Sequence, residues 1–201
     1  MWVLKLGGSL ADGDALPHWL DALAGCPVVV VPGGGPFADA VRTAQARWHF
    51  DEQTAHEMAI LGMQQYGRML LGLNAGLRAA RSPCELAGRL PAVWLPEPET
   101  LSAARVPASW DITSDSLAAW LAVATGASHL LLVKSVSSQG GARAVECDDL
   151  IAQGVVDPAF REYGRDASLQ SWWCGPGDYV HLPDAWHRPA DSFVRIRFDR
   201  T

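Results

Sequence analysis

Short apolar runs that end in glycine organise the beginning of the chain. Residues 2–6 are apolar apart from one lysine and lead into Gly-Gly-Ser, and residues 14–24 then carry apolar side chains at helical spacing. The same order returns at once, because residues 28–31 are consecutive valines followed by a Pro-Gly-Gly-Gly break. β-Branched runs without polar alternation are typical of strands buried on both faces. The pattern therefore predicts two successive strand–loop–helix units.

Apolar periodicity further along predicts three helical regions and four strands. Asp51 has the position of an N-cap, and the long helix that it opens is expected to run to about residue 77. The other helical regions are one entered through residues 109–115 and ending at 124, and residues 148–163, in pieces. The strand candidates are residues 92–95, 130–133, 179–182 and 192–199.

These elements predict an α/β fold. Apolar strands that alternate with helices are typical of a parallel sheet covered on both faces, whereas the two C-terminal strand candidates suit antiparallel edges. No stretch of the sequence has the length and composition of a linker between domains. We therefore expect a single domain over residues 1–201, a three-layer α/β/α sandwich with a mainly parallel central sheet and some antiparallel edge strands.

Composition and charge narrow the class of partner. With 22 acidic and 16 basic residues the net charge is -6, which argues against a basic face for nucleic acid. The longest apolar stretch, residues 117–127, is shorter than the ~20 residues of a membrane span, and no secretory signal is visible. We expect a cytoplasmic protein that binds a small molecule, with no nucleic acid and no membrane as partner.

Cysteine and histidine spacing gives no indication of a metal site. The four cysteines are far apart and form no C-x-x-C pair, so we interpret them as reduced thiols. The histidines show no H-E-x-x-H or comparable ligand spacing. We therefore expect no protein-bound metal.

Two glycine clusters follow predicted strands: Gly7 with Gly8, and Gly33 with Gly34 and Gly35. At the carboxyl ends of parallel strands, loops and helix N-termini present free N–H groups that attract anions. Glycine lets such groups approach a phosphate closely. Neither cluster matches G-x-x-x-x-G-K-S/T or G-x-G-x-x-G, so a different phosphate site is required. The alternative for each cluster is an ordinary tight turn.

Lys5 is the charged residue of the first apolar run, two positions before Gly7. A lysine in a buried strand requires a partner of opposite charge, and Asp115, at the start of a predicted helix, is the natural candidate. Two alternatives stay open. On an edge strand Lys5 would extend its ammonium group into solvent, and Asp115 would then be a simple helix cap.

The residues that bear on chemistry also form a set of motifs. The motifs are Lys5-Leu6-Gly7-Gly8-Ser9, Pro32-Gly33-Gly34-Gly35 and Thr113-Ser114-Asp115-Ser116-Leu117-Ala118-Ala119. They resemble, in that order, the first strand end, the P-G-G-G element and the aspartate-bearing segment of the amino acid kinase family. The resemblance spans roughly the first two-thirds of the chain.

Within that family, residues 32–41, 50–71 and 110–120 are most similar to the small kinases that convert an aminomethylfuran-methanol phosphate to the diphosphate in methanofuran-type cofactor biosynthesis. Uridylate kinase and isopentenyl phosphate kinase share the fold and the first motif. The resemblance implies an ATP-dependent phosphotransferase that acts on a small phosphorylated acceptor. It also implies Mg²⁺, held mainly by ATP phosphates and water, and a homo-oligomer.

The resemblance further implies roles for individual residues. Lys5 would contact the transferring phosphoryl group, Asp115 would orient Lys5, and Gly8 and Gly34 would donate backbone N–H groups. Such a set suffices, because phosphoryl transfer depends on positioning and charge neutralisation. The full predicted set adds Gly7, Gly8, Ser9, Lys134 and Ser135 for ATP and its phosphates, and Gly33, Gly34 and Gly35 for the acceptor.

The sequence departs from the family pattern after the strand at 130–133. Where many members carry Thr-Asp-Val-Asp-Gly, residues 133–138 read Val-Lys-Ser-Val-Ser-Ser, and no later G-G-M segment with a second catalytic lysine is visible. Lys134 is a candidate substitute; its alternative is a surface loop lysine. Two other functions stay open: a catalytically idle nucleotide-binding regulatory or storage protein, and a kinase for another phosphate, phosphonate or carboxylate acceptor.

Several further side chains are candidates without an assigned catalytic role. Arg42, His56 and Arg68 could meet the acceptor phosphate, although a solvated helix face is the simpler explanation. Tryptophans could stack on an aromatic acceptor, although large aromatic side chains more often fill a core. The tryptophans in question are Trp110, Trp172 and Trp173.

Overall fold

The computed structural model describes residues 1–86, 88, 90–136 and 143–198. Its strands are β1 Trp2–Leu6, β2 Val28–Pro32, β3 Arg78–Ala80, β4 Ala92–Trp94, β5 His129–Val133, β6 Ala144–Glu146, β7 Gln170–Cys174 and β8 Val194–Arg197. They form one sheet in the order β3-β4-β2-β1-β5-β7-β8-β6. The first strand of the chain therefore lies in the interior of the sheet.

Helices connect these strands. The helices are α1 Ala15–Ala22, α2 Gly35–Trp48, α3 Glu52–Leu73, α4 Pro83–Leu86, α5 Pro98–Ala103, α6 Ser114–Ala124, α7 Cys147–Ala152, α8 Phe160–Gly164 and α9 Leu182–Ala185. Short 3-10 helices lie at Gly8–Leu10, Asp178–His181 and Pro189–Asp191. Among the described residues, no helix combines the length and the apolar character that crossing a membrane requires.

Strand pairing confirms the predicted mainly parallel sheet. β1 pairs in parallel with β2 on one side and with β5 on the other, and β5 continues in parallel to β7. β7 and β8 are antiparallel, and β6 joins β8 in parallel. The carboxyl ends of β1, β2 and β5 consequently meet at one edge of the sheet, which we call the carboxyl edge.

Side chains of β1 show why the fold has three layers. Val3 belongs to the apolar cluster that contains Leu117 of α6, whereas Leu4 belongs to the cluster that contains Trp19 of α1. Successive strand residues point to opposite faces of a sheet, so each face is covered by helices. The predicted α/β/α sandwich is confirmed, and the assignment of residues 1–201 to a single domain stays a prediction.

The long helix α3 begins where the sequence indicates. The Asp51 carboxylate accepts a hydrogen bond from the Thr54 N–H at 2.7 Å, as an N-cap does. The helix ends at Leu73, four residues before the predicted end at 77. Asn74 stops it, because its side chain accepts from the Gly76 N–H at 2.8 Å and donates to the Leu20 carbonyl at 2.8 Å.

The prediction of a strand at residues 179–182 is wrong. This segment is the 3-10 helix Asp178–His181, which continues into α9. The Asp178 carboxylate accepts from the Gly175 N–H at 2.7 Å and thereby closes a turn in place of an extended ladder. Tyr179 stacks on His18 of α1 with ring centroids 4.9 Å apart, which fixes the turn against the first helix.

The last predicted strand is confirmed over Val194–Arg197, and Asp199 lies outside the described residues. It is antiparallel to β7, as expected, but parallel to β6. Three strands were not predicted: β3, β6 and β7. β7 contains Trp172 and Trp173, which are both buried, so the core-filling explanation of these two tryptophans is confirmed.

Candidate active site

The chain contains two lysines, Lys5 and Lys134, and every other basic side chain apart from histidine is arginine. Lys5 is in β1, and Lys134 directly follows β5. These strands are parallel neighbours, with Leu6 opposite Val133. The pairing therefore brings both lysines to the carboxyl edge.

Both ammonium groups contact one carboxylate, that of Asp115 in the first turn of α6. Lys5 Nζ lies 2.9 Å from Oδ1, and Lys134 Nζ lies 2.6 Å from Oδ2. The Lys134 contact has hydrogen-bond geometry, whereas the Lys5 contact is an ion pair only. Side-chain exposure is 6% for Lys5, 12% for Lys134 and 4% for Asp115. These three side chains are referred to below as the lysine–aspartate triad.

Burial of the triad decides two alternatives that the sequence left open. Lys5 is not a solvent-reaching lysine of an edge strand, because β1 is an interior strand and the side chain is buried. Lys134 is not a surface loop lysine, since it binds Asp115. Asp115 was expected to be the partner of Lys5, and the structure places the two in contact.

The shifted pKa values of Asp115 and Lys134 reflect an excess of positive charge in the triad. Burial disfavours the ionised form of Asp115, but the charges of Lys5 and Lys134 outweigh burial and lower the pKa of Asp115 to about 2. Burial, and next the Lys5 charge, lower the pKa of Lys134 to about 8, although Asp115 acts in the opposite direction. One carboxylate thus compensates two ammonium groups incompletely.

A second buried carboxylate, Asp157, holds the start of α6 in place. It accepts hydrogen bonds from the Thr113 N–H at 3.0 Å, the Thr113 hydroxyl at 2.7 Å and the Ser116 N–H at 3.1 Å, and it also contacts the Ser116 hydroxyl. Burial and then the Asp115 charge raise its pKa, while these hydrogen bonds lower it. Its charge faces the helix N-terminus and forms no ion pair with the described lysines.

Asp157 was not identified from the sequence. It lies 41 and 44 residues from its partners Ser116 and Thr113, so no local spacing connects them. From the sequence, residue 157 lies only within the region 148–163 that is expected to be helical in pieces. By fixing the turn that carries Asp115, Asp157 holds the carboxylate of the triad between its two lysines.

The two glycine loops are in direct contact at the carboxyl edge. A Cβ added to Gly8 would lie 2.2 Å from the Gly35 nitrogen, and one added to Gly33 would lie 2.3 Å from the Gly8 nitrogen. A Cβ on Gly34 would overlap the Ala38 side chain at 2.3 Å. The glycines are therefore required by the packing of loop on loop, whether or not a phosphate binds there.

The loop glycines differ in whether their backbone N–H group has a hydrogen-bond acceptor in the backbone. The Gly7 N–H donates to the Val133 carbonyl at 3.0 Å, and the Gly33 N–H donates to the Leu6 carbonyl at 2.8 Å. For Gly8, Gly34 and Gly35, no backbone acceptor is found within the described residues. The groups free to bind an anion are therefore those of Gly8, Gly34 and Gly35, while Gly7 and Gly33 shape the loops.

A pocket of about 290 Å³ opens beside these loops. Its lining includes Gly8 and Ser9 of the first loop and Gly34 and Gly35 of the second. It continues between α2, α3 and the start of α6 over a mixture of polar and apolar side chains: Asp12, Asp39, Arg42, His56, Ile60, Met63, Trp110, Ile112, Thr113, Ser114 and Leu117. Residues predicted for ATP and for the acceptor thus line one pocket.

The remaining predicted residues lie around this pocket. Lys5, Asp115 and Lys134 are not among its lining residues, and Ser135 is exposed next to Lys134. Gly7 and Gly33 stand at the strand ends behind the free N–H groups. The binding and catalytic roles of all these residues stay predictions.

Among the further candidates, His56 is buried, with 8% of its surface exposed, so its assignment to a solvated face is wrong. Arg42 and Trp110 also line the pocket; the Arg42 guanidinium lies 4.3 Å from the ring centroid of Trp110 and 2.9 Å from Asp39. Arg68 is exposed and outside the pocket lining, as the solvated-face explanation expects.

Fold and site together define a class of protein: an α/β/α sandwich whose interior strand carries a buried lysine at the carboxyl edge, beside two glycine loops in contact. The sequence profile of the amino acid kinase family matches residues 1–87 of the chain. This is the family that the first motif and the P-G-G-G element resemble.

Comparison with known proteins agrees with this family. A protein of Methanocaldococcus jannaschii named (5-(aminomethyl)furan-3-yl)methyl phosphate kinase is 31% identical over 131 residues, which cover 60% of this chain and 59% of that protein. The fold is similar to uridylate kinase of Archaeoglobus fulgidus, with a TM-score of 0.72, 14% identity and coverage of 98% and 99% of the two chains. UMP kinase of Bacillus anthracis has a TM-score of 0.70, 18% identity and coverage of 99% and 96%.

Substitution of Gly8 by alanine tests the loop contact. The added Cβ would meet backbone atoms of Gly35 at 2.2 and 2.5 Å, so the loops must separate, and we expect Gly8→Ala to lower the free energy of unfolding by about 1–3 kcal/mol. Gly72→Ala is the matched control, because Gly72 is an exposed α3 residue whose added Cβ meets nothing within 4 Å. Its stability should stay equal or rise by up to about 1 kcal/mol. Urea denaturation measures both; an unchanged Gly8→Ala protein would contradict the contact.

Substitutions in the triad should differ in severity. Asp115→Asn leaves two buried ammonium groups without a carboxylate, and we expect it to destabilise the fold by on the order of 3–5 kcal/mol. Lys134→Met keeps the Lys5–Asp115 pair and a similar side-chain volume, so its effect should be within about 1 kcal/mol. Both are measured by denaturant unfolding at pH 7. Equal losses of unfolding free energy in Asp115→Asn and Lys134→Met would show that the carboxylate does not hold the two lysines together.

The lowered pKa of Lys134 makes stability depend on pH in the alkaline range. The unfolded chain, with the ordinary value of 10.5, binds this proton more tightly than the folded chain with a value of about 8. The unfolded state therefore holds more protons between these values, and the contribution of Lys134 to stability rises with pH from about 8 to 10.5. We expect the free energy of unfolding of the natural protein, relative to that of Lys134→Met, to increase over this window. If the difference in unfolding free energy between the two proteins stays constant with pH, the lowered pKa of Lys134 is contradicted.

Proposed function

We propose that the protein is an ATP-dependent kinase that transfers the γ-phosphoryl group to the phosphate of a small acceptor. The acceptor we propose is (5-(aminomethyl)furan-3-yl)methyl phosphate, which the name of the archaeal relative contains. The match of residues 1–87 to the amino acid kinase profile supports the phosphotransferase activity, and the 31% identity to the archaeal relative supports the acceptor. The product would be the corresponding diphosphate.

The observation that carries this proposal is the charge of the triad. Two ammonium groups share one carboxylate at the carboxyl edge, and burial keeps water from compensating the excess charge. An anion that binds here supplies the missing negative charge. Three N–H groups of the adjoining loops, those of Gly8, Gly34 and Gly35, are free to bind the same anion.

In the proposed reaction, the pocket holds the acceptor, with its phosphate against the second glycine loop. ATP lies on the side of β5, where Lys134 and Ser135 follow the strand and Gly7, Gly8 and Ser9 form the other boundary. An acceptor phosphate oxygen forms the new bond to the γ-phosphorus as the bond to the bridging oxygen breaks, and ADP leaves. A phosphate oxygen is largely ionised near pH 7, so no general base is required.

Each part of the triad has a role in this proposal. Lys5 stabilises charge on the transferring phosphoryl group, and Lys134 supplies the second cation that other members carry on a later segment. Asp115 holds both ammonium groups in position and keeps them apart. The alternative of an idle nucleotide-binding protein is motivated by the departures from the family pattern at residues 133–138. The position of Lys134 beside Asp115 supports the kinase over that alternative.

Mg²⁺ is part of the proposal through the nucleotide. Among the described residues, no three His, Cys, Asp or Glu side chains are grouped closely enough to hold a metal ion. We therefore propose that ATP phosphates and water hold the Mg²⁺, which neutralises phosphate charge during transfer. A homo-oligomeric state stays a prediction.

Replacement of Lys5 tests the mechanism. Because Asp115 keeps Lys134 as a partner, Lys5→Met should fold, and we expect kcat to fall by on the order of 10²- to 10³-fold. The measurement is acceptor-dependent ADP formation from ATP, with circular dichroism to verify folding. Arg68→Met, at an exposed position outside the pocket, should retain normal turnover. A folded Lys5→Met protein with near-normal kcat would remove Lys5 from the mechanism.

A further inference from the structure

Helix α3 extends beyond the carboxyl edge and forms the wall of the pocket. At Gly67 the helix packs on Pro32, the last residue of β2, and at Gly62 it packs on the backbone nitrogen of Ala38, close to the second glycine loop. His56 lies six residues earlier, about 9 Å along the helix axis at 1.5 Å per residue. His56 therefore stands well away from the free N–H groups that would bind the acceptor phosphate.

A neighbouring pocket confirms that position. It is lined by residues of α3, of α5 and of the segment 105–108, and it contains no residue of either glycine loop. His56 and Ile60 are the two residues that line both pockets. His56 is thus at the end of the acceptor pocket opposite the loops.

The His56 ring has an unused hydrogen-bonding group. Its Nε2 atom is buried and has no partner among the described residues. An unpaired buried polar atom costs on the order of 1–3 kcal/mol, so a ligand that pairs with it gains that amount. His56 itself lines the pocket, so this unpartnered atom belongs to a side chain that a bound ligand would meet.

Surroundings of His56 determine which kind of ligand group fits. Burial lowers its pKa below the ordinary value, although a hydrogen bond to the Ser109 backbone acts in the opposite direction, so the ring is neutral at pH 7. Because the Ser109 backbone raises the pKa, it acts on the ring as an acceptor, and since Nε2 has no partner the nitrogen that faces it is Nδ1. The proton is then on Nδ1, and Nε2 carries a lone pair. The free atom is then an acceptor, and the ligand must bring a donor.

Charge and shape of the pocket specify that donor further. Asp12 follows the first glycine loop and Asp39 is paired with Arg42, so neither marks the His56 end. The charge of Glu57 acts on His56 and raises its pKa, and this carboxylate favours a cation at that end of the pocket.

The lining also contains the apolar side chains of Ile60, Met63 and Leu117, against which a flat ring can pack. The Trp110 indole N–H donates to Gln45 Oε1 at 2.7 Å, which fixes one side of this lining.

We propose that His56 selects acceptors that carry a protonated primary amine at the end remote from the phosphate, by accepting a hydrogen bond from that amine at Nε2. This inference rests on the proposed function and assigns the aminomethyl group of the acceptor to a subsite of its own. It makes His56 a specificity residue that takes no part in phosphoryl transfer.

The test compares (5-(aminomethyl)furan-3-yl)methyl phosphate with the analogue in which methyl replaces aminomethyl. One hydrogen bond to a charged donor corresponds to a preference of about 10- to 100-fold, which we expect in kcat/KM of the natural protein. In His56→Leu the preference should fall to within about threefold, mainly through a higher KM for the amine. His56→Gln, whose amide oxygen can accept, should restore part of the preference. His187→Leu, an exposed histidine outside the pocket, is the control.

Each alternative outcome overturns the inference in a distinguishable way. Equal use of both compounds by the natural protein would show that no amine subsite exists, while leaving the kinase proposal intact. A preference that survives in His56→Leu but is lost in Asp12→Asn would assign the amine to the carboxylate. If neither compound is phosphorylated, the proposed function fails. Calorimetry then measures the affinity of the natural and His56→Leu proteins for both compounds. A preference for the amine in the natural protein that is lost in His56→Leu would still support the inference, and equal affinities in the natural protein would overturn it.

Discussion

Two buried ammonium groups on one carboxylate set the geometry of this fold. Removing charges from water is costly unless they are paired, so Lys5, Lys134 and Asp115 can remain buried only while β1, β5 and α6 keep their relative positions. Asp157 secures the third of these elements, since it binds the first turn of α6 from a distant part of the chain. The site and the central packing of the domain therefore depend on the same contacts.

The glycine loops show that one sequence feature has two physical causes. Glycine at positions 8, 33 and 34 is required by the contacts of the loops with each other and with α2, because a Cβ at any of them would overlap neighbouring atoms. The same contact leaves the N–H groups of Gly8, Gly34 and Gly35 without backbone acceptors at the rim of the pocket. Close packing is therefore compatible with the proposed anion binding, since it leaves unpaired N–H donors where the anion is proposed to bind.

The parts of the fold that the sequence predicted are those with strong local signals. Runs of β-branched residues and the Asp51 cap identify β2 and the start of α3, because burial on both faces and capping depend on neighbouring positions. Residues 179–182 were misassigned, because Asp178 closes a turn through its side chain and outweighs their apolar character. The short strands β3 and β6 have three residues each, too few for a period to be recognised.

In the candidate site, the sequence predicted the residues that belong to a motif. It left open the residues whose position depends on contacts with distant parts of the chain. Lys5 and Asp115 follow from the two motifs that contain them, whereas the partners of Lys134 and Asp157 lie 19 and more than 40 residues away. The sequence around His56 indicates a position on the solvent-exposed face of a helix. In the structure His56 is buried, and the backbone of Ser109, which is distant in sequence, lies next to it. Side chains whose function depends on burial are the ones that helical periodicity alone cannot identify.

Net charge explains why the excess cation is located inside the protein. A chain with a net charge of -6 repels anionic substrates at long range, and scattered surface arginines are screened by salt within about 10 Å. Buried ammonium groups act in a medium of low dielectric, where the same charge attracts a phosphate more strongly. The lowered pKa of Lys134 is the consequence of this arrangement before substrate binds, and a bound phosphate would raise that pKa again by supplying the opposite charge. In the proposed function, a phosphate-bearing ligand offsets this cost in stability, and without ligand the pairing with Asp115 keeps both lysines in the interior.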